Sequence, residues 1–304
     1  MTRVFIDGSA GTTGLRIHER LARREGLELI HLPDALRKDT HARQEAICAA
    51  DVAFLCLPDA AAVEAAALAG DDTVVIDTST AHRTADGWEY GFPELAGRRE
   101  KIATARRIAN PGCHASGFIA LAEPLVRTGL IRPDTALTCF SVTGYSGGGK
   151  SMIADYGQTD RSIELDAPRQ YGLTQNHKHL PEMVKISGLE TAPIFCPIVA
   201  DYYSGMAVTV TLFRKDLRGT AGDIRQLYRD CYAGPVVRCF PYTEGMLSGN
   251  TLAGRDSMEI TVAGNEDRIL LISRFDNLGK GASGAAIQNM NLVLGLDETE
   301  GLVL

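Results

Sequence analysis

The chain has 304 residues, enough for two domains with substantial cores. Its residues are 45% hydrophobic and 23% charged, the balance of an ordinary globular protein, and its net charge of −7 argues against a general nucleic-acid or membrane-surface binder. No apolar run reaches the length of a membrane span, and the N-terminus leads straight into a strand without a signal-peptide h-region. The seven cysteines include no Cys-x-x-Cys pair, so free thiols in a reducing cytoplasm are expected.

Residues 3–7 read as a buried strand, and Gly8-Ser9-Ala10-Gly11-Thr12-Thr13-Gly14 then opens into an amphipathic helix over 15–24. Strand, glycine loop and helix form the phosphate-cradling start of a Rossmann unit, here with Gly-x-x-Gly-x-x-Gly spacing. A second strand covers 27–31. Asp34, Arg37 and Lys38 follow it where such folds meet the adenosine ribose; an acid suits a free 2′-hydroxyl and a base a 2′-phosphate, so the segment leans towards NADP. An apolar run at 51–57, a helix to residue 69 after Pro58-Asp59, and a strand at 73–77 continue an α/β pattern. The loop 78–83 puts hydroxyls and Arg83 at a strand's carboxyl end, where ligands bind in open α/β sheets.

A short β-type run within 101–109 and an apolar helical pattern over 118–126 flank Asn110-Pro111-Gly112-Cys113-His114. Cys113 therefore falls in a helix's first turn, where unpaired N–H groups and the helix dipole favour thiolate over thiol. Farther on, 135–143 reads as a strand. Gly144 to Lys150 is a glycine-rich loop that either holds an anion or serves as a flexible connector, and a polar, irregular segment runs to residue 171. The stretch 175–183, with His177, His179, Pro181 and Glu182, starts a helix; β-type runs at 193–200, 206–214, 257–263 and 268–275 with a helix at 221–232 suggest an α+β domain on a mostly antiparallel sheet. The last segment, from Asn277 through Lys280 and Gly281, is a glycine loop entering a helix of small residues that packs against the first domain.

A helix-terminal cysteine, a dinucleotide loop and histidines in a second domain together describe a thiolate that attacks an activated acyl carbon and a thioester that accepts hydride. His179 and Glu182 are one helical turn apart, so the carboxylate can orient the imidazole as acid or base; His177 competes for the role, with His114 next in line. A zinc site of His-x-His plus cysteine, or a non-enzymatic NADP-binding sensor, uses the same residues differently.

The Gly8 to Gly14 loop, Tyr90-Gly91-Phe92-Pro93-Glu94, Asn110 to Cys113, His177 to Glu182 and Asp276 to Gly281 together resemble, in order along the whole chain, the N-acetyl-γ-glutamyl-phosphate reductases, in their shorter form. The resemblance implies NADPH-dependent reduction of N-acetyl-L-glutamyl 5-phosphate to the 5-semialdehyde and phosphate, in arginine biosynthesis. It implies a Rossmann-type NADP-binding domain at 1–112, joined by the C-terminal helix 280–304, and an α+β catalytic and dimerisation domain at 113–279. Cys113 would be the nucleophile, His179 the acid/base and Glu182 its tuner. Gly8, Ser9, Gly11, Thr12, Thr13 and Gly14, with Arg37, Lys38, Asn277 and Lys280, would hold the cofactor. Arg83, Asn110, Lys150 and His177 are assigned to the substrate, with Arg161 and Lys178 as further cations chosen for charge. No metal is needed, and a homo-oligomer, dimer or tetramer, is expected. Aspartyl phosphate and carrier-bound aminoadipyl phosphate remain competing substrates. Asp7 and the loop ending at Lys150 depart from the longer form of the family.

Overall fold

The computed structural model describes residues 1–242 and 244–304. They form two compact units: Met1–Pro93, Gly97–Pro111 and Ala282–Leu302 in the first, and Glu94–Ala96, Gly112–Gly281 and Val303–Leu304 in the second.

In the first unit, strands β1 (Thr2–Asp7), β2 (Leu27–Ile30), β3 (Val52–Leu55), β4 (Val74–Asp77), β5 (Glu89–Tyr90) and β6 (Arg107–Ala109) make a wholly parallel sheet in the order β2-β1-β3-β4-β6-β5. Their apolar runs are continuous because both faces are covered. Val4, Ile6, Val52 and Phe54 pack on one side, while Phe5, Ala53 and Leu55 pack on the other. The connecting helices are α1 (Thr12–Leu21), α2 (Thr40–Ala49), α3 (Asp59–Leu68) and α4 (Arg98–Thr104). Helix α2 carries a weak sequence signal, since it buries only Ala46 and Ile47; its start is fixed by Asp39, whose carboxylate accepts the Ala42 N–H at 2.8 Å.

The second unit holds β7 (Thr138–Gly144), β8 (Arg169–Gln170), β9 (Ile194–Ala200), β10 (Met206–Phe213), β11 (Val237–Cys239), β12 (Met258–Gly264) and β13 (Arg268–Phe275), in the order β11-β12-β13-β10-β7-β9-β8. The sheet is mixed: β7 with β9 and β11 with β12 run parallel, and the remaining pairings are antiparallel. Helix α5 (Cys113–Arg127) lies on one face. Met206, Val208, Val210 and Leu212 alternate towards that buried side with half-exposed residues between them. Helices α6 (Gly149–Tyr156), α7 (Leu180–Ser187) and α8 (Ala221–Cys231) complete the unit.

Two expectations change here. The glycine-rich stretch is neither a long loop nor a flexible connector, since residues 145–148 form a 3₁₀ turn that passes directly into α6, anchored by buried Tyr156. The segment before residue 171 contains a second 3₁₀ turn (Ile163–Asp166) and strand β8, whose two residues pair with Val199 and Ile198. Helix α9 (Gly284–Val293) belongs to the first unit and places Ala286, Ile287 and Met290 in its core.

Candidate active site

Strand β6 ends at Ala109, and Pro111 and Gly112 turn the chain into α5 with Cys113 as its first residue. Gly112 is in extended backbone and supplies no capping side chain to the first turn of α5. Close approach of α5 to the sheet needs Gly117, where a Cβ would stand 2.5 Å from Val208 Cγ2 and 2.8 Å from Ser273 Oγ. Gly281 meets the same demand beside the thiol-bearing residue: its Cβ would lie 2.9 Å from that of Cys113. The helix terminus is thus held from below and from the side.

Half-buried Cys113 lines a cavity of about 490 Å³ together with His114, Tyr171, His177, Lys178 and His179. The three histidines cluster, with ring centroids 5.8 Å (His114–His177), 5.6 Å (His114–His179) and 4.8 Å (His177–His179) apart. Their environments separate their chemistry. His114 is buried, with Nδ1 2.6 Å from Ser141 Oγ and Nε2 2.7 Å from the Tyr171 hydroxyl. Burial, and next the neighbouring His177, push its pKa down to about 3, so it stays neutral and is no proton carrier near neutral pH. Burial also raises the Tyr171 hydroxyl, helped by the proximity of Cys113.

His177 accepts the His179 backbone N–H at Nδ1, 3.2 Å away, which in the neutral ring puts the proton on Nε2. Its pKa is lowered, first by burial and then by Lys178. His179 precedes α7 as its N-cap residue and is buried, and its Nε2 is 4.0 Å from Glu182 Oε1. That is an ion-pair distance, longer than a hydrogen bond. The other Glu182 oxygen accepts the Gly112 N–H at 3.2 Å, so a single buried carboxyl group joins the start of α7 to the residue that caps the cysteine helix. Of the groups the zinc alternative would use, His177, His179 and Cys113, Nδ1 of His177 already accepts a backbone N–H. No group of three His, Cys, Asp or Glu among the described residues is arranged to hold a metal.

The first unit carries the second constellation. Gly8 has φ +85° and a Cβ there would stand 2.3 Å from the Cys56 carbonyl oxygen, while at Gly14 it would stand 2.4 Å from that of Gly8. At Gly11 the nearest atom is 3.5 Å away, so this middle glycine is not required by the protein's own packing. Gly11 also precedes α1 without capping it by a side chain, and the first turn of α1, with Thr12 and Thr13, contains no acid. A cradle of uncapped N–H groups with space at its centre fits a dinucleotide phosphate. Asp7, the departure noted above, is tied to Arg43 at 2.7 Å. Gly8, Ser9 and Arg37 line an adjoining cavity of about 120 Å³ with His31, which sequence reading passed over. Arg37 also pairs with Asp34 at 2.7 Å, and Lys38 is exposed outside that lining.

Several residues chosen for charge are occupied structurally. Arg83 donates from Nε to the Asn110 carbonyl at 3.0 Å and from Nη2 to that of Thr78 at 3.1 Å. Asn110 donates to the Ala282 carbonyl at 3.1 Å and accepts from Asn289 at 3.3 Å. Asn277 bonds Gly205 N and Ser146 Oγ at 2.9 and 3.0 Å, and buried Lys280 contacts both Glu94 carboxylate oxygens at 2.8 Å. Burial demands such partners, and Asn277, Lys280, Arg83 and Asn110 are each held by the protein's own framework. Arg161 is likewise held by Asp166 at 2.6 Å and Asp201 at 2.5 Å, and exposed Lys150 lies outside the Cys113 cavity lining. The cations that do line it are Lys178 and one that sequence reading missed, Arg169.

Residues 3–105 match the semialdehyde dehydrogenase NAD binding domain, and residues 113–277 match the semialdehyde dehydrogenase dimerisation domain. The N-acetyl-γ-glutamyl-phosphate reductase of Brucella ovis is 45% identical, over 96% of this chain and 99% of its own, and that of Brucella anthropi is 46% identical, over 96% and 98%. Aspartate semialdehyde dehydrogenase II from Vibrio cholerae, solved in complex with ASA, shares the fold with a TM-score of 0.72 at 17% identity, over 97% of this chain and 98% of its own. The chain belongs to the N-acetyl-γ-glutamyl-phosphate reductase family, within the semialdehyde dehydrogenases.

Proposed function

We propose that the protein reduces N-acetyl-L-glutamyl 5-phosphate with NADPH to N-acetyl-L-glutamate 5-semialdehyde and inorganic phosphate, as a cytoplasmic step of arginine biosynthesis. The observation that carries this reading is Cys113 at the uncapped first turn of α5, lining a cavity with His177, His179 and Lys178. The Cys113 thiolate attacks the acyl carbon, the C–S bond forms, and the C–O bond to phosphate breaks. First-turn N–H groups of α5 face the oxyanion that develops. NADPH, when bound at the Gly8 to Gly14 loop, supplies the hydride that reduces the thioester. His179 takes the thiol proton at the start and later manages the proton of the thiohemiacetal oxygen as the C–S bond breaks, returning Cys113 and releasing the aldehyde. Glu182 faces the His179 imidazole at 4.0 Å while fixing Gly112.

Phe140, Ile194, Phe213 and Leu270 are exposed and, by strand register, share the sheet face opposite α5. An apolar face of this kind supports a homo-oligomer built on the second unit. No helix among the described residues is long and apolar enough to cross a membrane.

The test runs in reverse, following NADP reduction with phosphate and either N-acetylglutamate semialdehyde or aspartate semialdehyde. A preference for the first supports the reading, a preference for the second moves the protein to a neighbouring acyl phosphate, and nucleotide binding without turnover on any semialdehyde supports the sensor.

A further inference from the structure

Arg169 lines the Cys113 cavity and has no part in the chemistry above. Strand β8 fixes its backbone opposite Val199, and its guanidinium lies over the ring of buried Tyr156 at 5.5 Å, with Nη2 donating to the Tyr156 hydroxyl at 3.2 Å. Tyr156 is itself stacked on Tyr145, centroids 4.5 Å apart. A second guanidinium, that of Arg161, lies 5.7 Å over the same ring. Arg161 is neutralised by Asp166 and Asp201, whereas among the described residues Arg169 has no carboxylate partner. Moreover, Arg169 Nε is buried and meets no acceptor there. A desolvated guanidinium donor without an acceptor is costly, and it is retained where a ligand completes the pair.

We propose that Arg169 binds the α-carboxylate of the acyl-phosphate substrate and makes the protein selective for acyl chains that end in a carboxylate. The inference rests on the reaction proposed above. That substrate carries two anionic groups, and two cations line the cavity. Arginine's planar fork, anchored on Tyr156, matches a carboxylate in a bidentate manner; the compact charge of Lys178 suits the phosphate.

The reverse reaction separates the two anions, because semialdehyde and phosphate have their own KM values. Arg169→Gln should raise the KM for N-acetylglutamate semialdehyde by roughly 10-fold or more, leaving kcat and the KM for phosphate within about two-fold, since one charge-assisted contact is lost. The parent should prefer the semialdehyde over its α-carboxamide by a similar factor, and the Gln variant should not discriminate. A rise confined to the phosphate KM, or a parent that treats acid and amide alike, overturns the proposal. If the Gln variant fails to fold, Arg169→Lys decides: a reduced acid-to-amide preference supports the role and an unchanged preference removes it. Absence of any semialdehyde-dependent NADP reduction by the parent would instead defeat the proposed reaction itself.

Discussion

Helices α1 and α5 both begin after a glycine in extended backbone, without a capping side chain and without an acid in the first turn. Around α1 the terminus is half-buried and its central Gly11 has room beside it. Around α5 Gly112 is buried, its N–H is taken by Glu182, and Gly117 and Gly281 leave no space for a Cβ. The same surplus of N–H groups can therefore receive a diffusing phosphate or favour a fixed thiolate. What separates the two outcomes is how tightly the surrounding framework holds the group that the helix end addresses.

The comparison breaks first at Cys113. Replacing Cys113 with Ser should lower turnover on the order of 10³-fold or more while NADPH affinity, read by fluorescence titration, stays unchanged, because the hydroxyl remains protonated where a thiol ionises. Parallel loss of nucleotide binding would show that the two helix termini are not independent. Next, His179→Asn should reduce kcat by roughly 10²–10⁴-fold with little change in KM, and Glu182→Gln less, since its amide oxygen still accepts the Gly112 N–H. If steady-state kinetics put the larger loss on His177→Asn, the two histidines exchange roles.

At the α1 end, NADPH should bind more tightly than NADH, and Arg37→Ala should narrow that gap by about 10-fold, the weight of one charge-assisted bond at a 2′-phosphate. Lys38→Ala should matter less, because only Arg37 reaches the cavity beside the glycine loop. Equal affinities for the two nucleotides in the parent would overturn the cofactor assignment.

The smallest effect concerns His114. Its folded pKa, about 3, lies below the ordinary 6.5, so as pH falls below 6.5 the unfolded chain takes up a proton that the folded chain does not. Stability should therefore drop as pH falls towards the folded value, by at most ~1.4 kcal/mol per pH unit for this group. Urea titrations of the parent and of His114→Gln between pH 7 and 5 should show the shallower slope in the variant. Identical slopes would mean that His114 is not buried neutral.

Legibility in the sequence follows the range of the physics. The glycine loop and Cys113 are readable because strand, turn and helix are local, and helix-terminal N–H groups need no distant partner. Helix α2 was not, because its apolar face is too narrow to mark a period. Charged residues were legible as charges but not as contacts. Glu94, which meets Lys280, and Asp201, which meets Arg161, both lie far away in the chain. Arg169 was missed for the converse reason, since its environment is made by β9 and by Tyr156 of α6.

The covalent step can be observed directly. When the protein is mixed with N-acetylglutamate semialdehyde and NADP in the absence of phosphate, oxidation should stop at the thioester, which acid quenching preserves. Peptide mass spectrometry should then find the N-acetylglutamyl mass on the peptide containing Cys113, and adding phosphate before the quench should remove it. An adduct on any of the other six cysteines, or NADPH formed with no adduct at all, would contradict Cys113 as the acyl carrier.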